Sequence, residues 1–241
     1  MRDFLTDVIR HFSGSFETIR VDADGTKTVF ASSDADRTFF IQARAKDPIP
    51  ELEGSYGITN LPLLKGLLDF APYKQGALAA RRRKMPSGEV AVEQFEFREA
   101  NGTGADFRLM SAKLVQEQPE IKDPAWDVVV TPDKAIRDQF SSLAGLYAKV
   151  DGLFGTATSG GNLVVTLGSE EAATHRASMV YASDITASLR DNLLWDTNVF
   201  LGALKNCGPE SQVKISNKGV LSVEASTDLA VYKYYIRTKV R

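Results

Sequence analysis

The residues able to do chemistry in this chain are few and far apart. His11, His175 and Cys207 are the only imidazoles and the only thiol in its 241 residues. Three such groups fall short of the four nitrogen and sulfur ligands of a usual structural zinc site. Neither histidine has a nucleophile near it in sequence, so both read as bystanders. Cys207 falls on the inward stripe of a short helix, where a thiol packs rather than reacts. The acidic pairs Glu170-Glu171 and Asp34/Asp36 sit in polar turns. Nothing there sets the two carboxyls of a pair in different environments, as acid–base work requires. There is no Walker loop, no G-x-S-x-G elbow and no H-E-x-x-H. The glycines Gly102/Gly104 and Gly160/Gly161 do not lead from a strand into a helix, so they read as turns rather than phosphate cradles. The pattern points away from an enzyme and implies no metal and no cofactor.

Charge is more informative. The run Arg81-Arg82-Arg83-Lys84 has two readings: a nucleic-acid patch, or an exposed strand end where cations discourage edge pairing. Strand alternation sends Arg81 and Arg83 to one face and Arg82 and Lys84 to the other, which divides the patch. A net charge of −2 argues against a broad basic face gripping nucleic acid. Each of four helices nevertheless offers a cation on its outward side: Arg10, Lys65, Lys134 with Lys149, and Lys205. Arg137 sits on a flank. Asp3, Asp7, Asp69 and Asp138 interleave with them, so the field is mixed.

The elements that must position these cations are readable from periodicity. A helix over about 2–12 turns Leu5, Val8, Ile9 and Phe12 inward, and Ser13-Gly14-Ser15 ends it. Strands follow in FETIRV and TKTVFAS, joined through Asp24-Gly25, a strong hairpin signal because both central positions favour positive φ. RTFFIQARA is a third strand. A second helix over about 61–71 is capped by Thr59 or Asn60, with Pro62 in its first turn and Leu61, Leu64, Leu67 and Leu68 inward. The strands ALAARRRK, EVAVEQFEF and ADFRLMSAKL come next, with turns at Met85-Pro86-Ser87-Gly88 and Asn101-Gly102-Thr103-Gly104.

A polar stretch over 116–126, with Pro119 and Pro124, reads as a connector between domains over 1–115 and 127–241. Beyond it the order repeats. A helix over 132–149 has Ile136, Phe140, Leu143 and Tyr147 inward, and a hairpin turns at Ser159-Gly160-Gly161-Asn162. HRASMVYA is a strand, and a helix over 197–207 buries Phe200, Ala203, Leu204 and Cys207. The strands QVKIS, VLSVEAS and LAVYKYYIRTKV close the chain. Asn60 and Phe12 find counterparts in Asn198 and Tyr147, offsets of 138 and 135 residues. Such a repeat decides architecture before any local motif does. The expected fold is α+β, with two similar domains of two short helices packed on antiparallel sheets. Trp126 and Trp195 read as core packing, with a partner pocket at the connector as a second reading for Trp126.

The remaining bounds are simple. One cysteine excludes an intrachain disulfide and favours a reducing compartment. The opening MRDFLTDVIRHF is acidic and lacks the apolar run of a secretory signal. No apolar stretch is long enough to span a membrane. At 43% hydrophobic and 25% charged residues, the chain can build an ordinary globular core without staples.

In the opening helix, the DG hairpin, GITNLPLLKGLLDF, the bridging segment, TNVFLGALKN, VKISNKGVLSVEAS and the tyrosine-rich last strand, the chain resembles the sliding clamps of T-even-type bacteriophages. These are DNA polymerase processivity factors, and the likeness spans nearly the whole chain in element order, length and texture. The resemblance implies a head-to-tail homotrimer whose helices line a hole around duplex DNA. It implies a clamp loader and a replicative polymerase as partners, and the cytoplasm of an infected bacterium as the setting. It also implies that Arg10, Lys65, Lys134, Arg137, Lys149 and Lys205 face DNA phosphates. Ile121 and Trp126 then lie by a partner cleft, since partners of related clamps dock between the domains. A ring holds DNA by topology, so a slightly acidic charge is compatible with a DNA partner. Two other readings stand beside it. One is a non-catalytic α+β binding or structural protein that does not encircle DNA. The other is an enzyme whose site assembles only in space.

Overall fold

The computed structural model describes residues 1–84, 90–118, 122–147, 151–168, 175–190 and 193–239, and at Lys84 and Val90 the backbone alone. The turn expected at Met85-Pro86-Ser87-Gly88 and the pair Glu170-Glu171 lie outside the described residues. The chain is a mixed α+β protein of antiparallel sheets and few helices. It divides into two units, neither of which is one stretch of chain. The first is Met1–Asp34, Ile41–Glu120 and Thr227–Tyr232; the second is Ala35–Phe40, Ile121–Ser226 and Lys233–Arg241.

The first unit opens with α1 (Arg2–Phe12), which buries Phe4, Leu5, Val8, Ile9, His11 and Phe12. Four strands follow: β1 (Thr18–Ala23), β2 (Thr28–Ser33), β3 (Phe39–Ala45) and β4 (Gly54–Thr59). Their order in the sheet is β4-β1-β2-β3. The Asp24-Gly25 hairpin forms, but not through the turn that its residues favour. Its loop is four residues long, between the paired Ala23 and Thr28, and Gly25 is not at positive φ. Instead the Asp24 carboxylate accepts from Thr26 N (2.8 Å), Thr26 Oγ1 (2.6 Å) and Lys27 N (3.0 Å). These bonds supply locally what a left-handed glycine would otherwise supply.

Next comes α2 (Leu61–Asp69), whose cap Asn60 takes a left-handed conformation and accepts from Leu63 N. A single turn, α3 (Ala71–Lys74), leads into the meander β5 (Ala77–Lys84), β6 (Val90–Arg98) and β7 (Gly104–Arg108). The strand expected over ADFRLMSAKL breaks after β7. Only β8 (Met110–Ser111) continues, pairing with β4, and a 3-10 turn over Ala112–Leu114 follows. On β6, Phe95 and Phe97 point inward, Phe95 edge-on to Tyr56 and Phe97 against Tyr73.

In the second unit β9 (Val128–Val130) precedes α4 (Lys134–Tyr147), which starts after Asp133, whose Oδ1 accepts from Ile136 N. Then come β10 (Leu153–Ser159), β11 (Asn162–Leu167), β12 (Ala177–Ala182) and β13 (Leu193–Asp196), in the sheet order β13-β10-β11-β12. The β10–β11 hairpin has the two-residue loop Gly160-Gly161, both at positive φ, as its sequence predicts. After β13 comes α5 (Thr197–Cys207), capped by Asp196. The last strands are β14 (Gln212–Ser216), β15 (Val220–Ser226) and β16 (Ala230–Arg237), in the order β16-β15-β14-β9. Phe140 of α4 is the centre of this core, edge-on to Phe154, Tyr181 and Phe200 at 5.3–5.9 Å. Truncating so enclosed a ring to alanine costs about 3–5 kcal/mol. Trp195 is fully buried, its indole N–H donating to Thr156 Oγ1 (2.9 Å).

Candidate nucleic-acid interface

The helical cations divide sharply once their surroundings are known. Arg10 on α1 is 58% exposed and donates to Asp7 at 2.6 Å, one turn back. Lys65 on α2 lies 3.4 Å from Asp69, and Lys134 on α4 lies 2.6 Å from Asp138. Each of these three cations thus has an acid one turn away on its own helix. Exposed pairs of this kind hold only about 0–1 kcal/mol, so the cations remain recruitable. Lys205 is exposed on α5. Lys149 lies outside the described residues.

Arg137 does not face outward. Its side chain is buried, and its guanidinium donates to the Gly208 carbonyl and to Ser211 Oγ. The reason is the rotation of α4 about its axis. The buried stripe is Arg137, Phe140 and Ala144, while Ile136, Leu143 and Tyr147 are only half-buried. Arg137 fastens the loop after α5 and has no side chain to offer a phosphate.

The structure brings Arg10 and Lys65 together. Both line an open groove of about 620 Å³ between α1, α2 and the segment Thr227–Leu229. The groove also carries Asp3, Asp7, Asp69 and Asp228, so carboxylates outnumber its cations two to one. Such a surface cannot grip a polyanion through many phosphate contacts.

Of the two residues expected at a partner cleft, Ile121 lies outside the described residues. Trp126 is half-buried. Residues 122–126 of the connector belong to the second unit and are held there by charge. Asp123 accepts from Lys233 Nζ and Tyr235 Oη, both at 2.6 Å. Lys233 also reaches Glu224, which Lys214 binds at 2.6 Å. Burial works against the Asp123 carboxylate, yet the bonds from Lys233 and Tyr235 hold its pKa below the usual range. Burial, reinforced by Asp123, pushes the Tyr235 phenol up. Ser216 Oγ donates to the Ala125 carbonyl beside it. Nothing in the sequence links Asp123 to a lysine 110 residues away, so this anchor is invisible before folding.

His11, a bystander by its sequence neighbours, has a defined surrounding in the fold. It is fully buried and stacks on Tyr232, with ring centroids 3.6 Å apart and planes 6° apart. Burial pushes its pKa down to about 4, against the opposing pull of Asp7. Asp7 in turn accepts from Tyr232 Oη (2.7 Å) and Thr227 Oγ1 (3.0 Å). This His–Tyr–Asp group fastens the segment Thr227–Tyr232 to α1. His175 is exposed. Among the described residues no group of three or more His, Cys, Asp or Glu side chains is arranged to hold a metal ion, and no helix is long and apolar enough to cross a membrane.

Compared with protein-family models and with curated proteins, the chain gives no significant match.

Proposed function

We propose that the chain is one subunit of a sliding clamp, a non-catalytic processivity factor of the T-even phage type. In this reading it encircles duplex DNA as a head-to-tail homotrimer and tethers a replicative polymerase in the cytoplasm of the infected bacterium. A clamp loader opens and closes the ring. The observation that carries the reading is the repeated strand order. In each unit a helix, four strands paired fourth-first-second-third, a helix and a three-stranded meander follow in that order, with α3 and β8 added in the first and β9 placed before the helix of the second. Two such units per chain supply α1, α2, α4 and α5 as four similar helices, and three chains supply twelve to line a hole. Arg10, Lys65, Lys134, Lys149 and Lys205 are the DNA-facing cations of this proposal. Free sheet ends favour it too. In the first unit the sheet ends at β8, beside Leu114, which is 75% exposed. In the second the sheet ends at β12, where Val180 is 46% exposed. A heterologous contact between such ends closes a ring when the rotation per subunit permits.

The acidic balance of the α1–α2 groove favours the second reading, a non-catalytic α+β binding protein that does not encircle DNA. Primer extension with the cognate polymerase and loader separates the two. Processive synthesis should be stimulated by the wild-type chain and lost when Arg10, Lys65, Lys134 and Lys205 are reversed to glutamate in a chain that still assembles. Undiminished processivity in that variant would sink the clamp reading.

A further inference from the structure

The run of arginines on β5 is not divided in the way that simple alternation predicts. In the β5–β6 pairing, Arg81 lies opposite Gln94 and Arg82 opposite Val92, so β6 holds an extra residue, Glu93. This bulge re-aims the side chains around it, as bulges do. Arg81 and Arg108 flank Gln94 directly from the two neighbouring strands. Arg83 and Arg108 converge on the Glu93 carboxylate at 3.3 and 3.9 Å. Arg82 is engaged elsewhere, at the Pro50 carbonyl and 3.7 Å from Glu53. The result is a small cleft of about 330 Å³ lined by Arg81, Arg82, Arg83, Glu93, Gln94 and Arg108.

Arg81, Arg83 and Arg108 are 62%, 67% and 77% exposed. At this end of the sheet Arg83 and Arg108 share Glu93, while Arg81 reaches Glu96 at 3.5 Å. Each guanidinium carries five N–H donors, so most of them face water. The cluster lies on the opposite face of β6 from Phe95 and Phe97, whose neighbours are Tyr56, Tyr73 and the Arg2 side chain of α1. It therefore points away from α1 and α3, and a duplex lying along the helices would not reach it. Glu96 and Asp106 continue the same face, and they interrupt it for any long polyanion. A short segment with a few discrete carboxylates fits better. β5 and β7 are both end strands of this sheet, which lets an extended chain lie alongside.

We propose that Arg81, Arg83 and Arg108 form a docking surface for an acidic, extended peptide segment of a partner protein. In the free protein Glu93 occupies Arg83 and Arg108 and Glu96 occupies Arg81, and the incoming carboxylates displace them. The inference does not depend on the clamp reading.

The test is fluorescence anisotropy of the full chain with a labelled octapeptide of alternating glutamate and threonine. Its glutamine counterpart and a labelled DNA duplex serve as controls. The glutamate peptide should bind and be released near 1 M salt, where the Debye length is about 3 Å. Arg81→Gln, Arg83→Gln and Arg108→Gln combined should weaken it at least about tenfold. Glu93→Gln should tighten it a few-fold by removing the competing carboxylate, and this arm guards against mere unfolding of the triple variant. Equal binding of the glutamine peptide, or no effect of the triple variant in a chain with unchanged circular dichroism, would overturn the proposal. So would full competition by millimolar inorganic phosphate, which marks a small-anion site. Duplex binding lost with the same three arginines would overturn it in favour of nucleic acid.

Discussion

His11 makes a residue-scale prediction with a definite sign. Its pKa is about 4 in the folded protein against an ordinary 6.5. Between those values the unfolded chain takes up a proton at this position and the folded protein does not. Stability therefore falls as pH drops from 6.5 to 4, by roughly 3 kcal/mol in all. Denaturant melts of His11→Phe, which keeps an aromatic ring against Tyr232, should show a flatter pH profile in that window. Arg137 and Lys134 give a contrast on one helix. Arg137→Ala removes charged hydrogen bonds to Gly208 and Ser211 and should cost roughly 1.5–3 kcal/mol. Lys134→Ala breaks an exposed pair and should change thermal stability by less than about 1 kcal/mol. Equal losses would mean that Arg137 is not fastened as described. The sequence misled at Arg137 because an arginine among helical apolar residues reads as a flank, whichever way the helix is turned. The exposure of Arg10, Lys65 and Lys205 was legible, because their neighbours three and four positions away fix an unambiguous apolar face.

At the scale of elements, what was legible depended on how much periodic sequence each element carries. The helices α1, α2, α4 and α5 and the long strands of both meanders were visible. The fourth strand of each first sheet, β4 and β13, was not. β4 reads Gly-Ser-Tyr-Gly-Ile-Thr, with two glycines that weaken any strand signal, and β13 is only four residues long. Gly57 in β4 is there because Val115 packs over it: a Cβ at Gly57 would sit 2.1 Å from a Val115 methyl. Gly57→Ala should cost roughly 1–3 kcal/mol by overpacking. Val115→Ala added to it should restore part of that loss, as a double-mutant cycle would read; strict additivity would mean the two do not touch. Asp123 holds the connector in a comparable way. In Asp123→Ala the bond after Lys122 should be cut faster by trypsin in limited proteolysis, because Lys233 and Tyr235 no longer hold the segment.

For the whole molecule, the proposed ring makes assembly the property to measure. Sedimentation should give three times the chain mass, and Leu114→Asp or Val180→Asp should shift it to one. Each change puts a charge on an exposed apolar residue at a sheet end without touching a core. A trimer unmoved by both would place the subunit contact elsewhere. The element order was readable along the chain, but which strand ends stay open was not. That is decided by pairing between segments far apart in sequence, as when β8 joins β4.

The scattered membership of the two units also constrains the order of synthesis. The first unit is closed by Thr227–Tyr232, which supply the ring stacked on His11 and the hydroxyls bound to Asp7. A ribosome has made all of β1 to β8 long before it makes Tyr232. The nascent first unit therefore lacks the ring on His11 and the hydroxyls on Asp7 until nearly the whole second unit has been translated. A fragment ending at residue 120 lacks these contacts, and it should be recovered folded only when the rest of the chain is supplied with it.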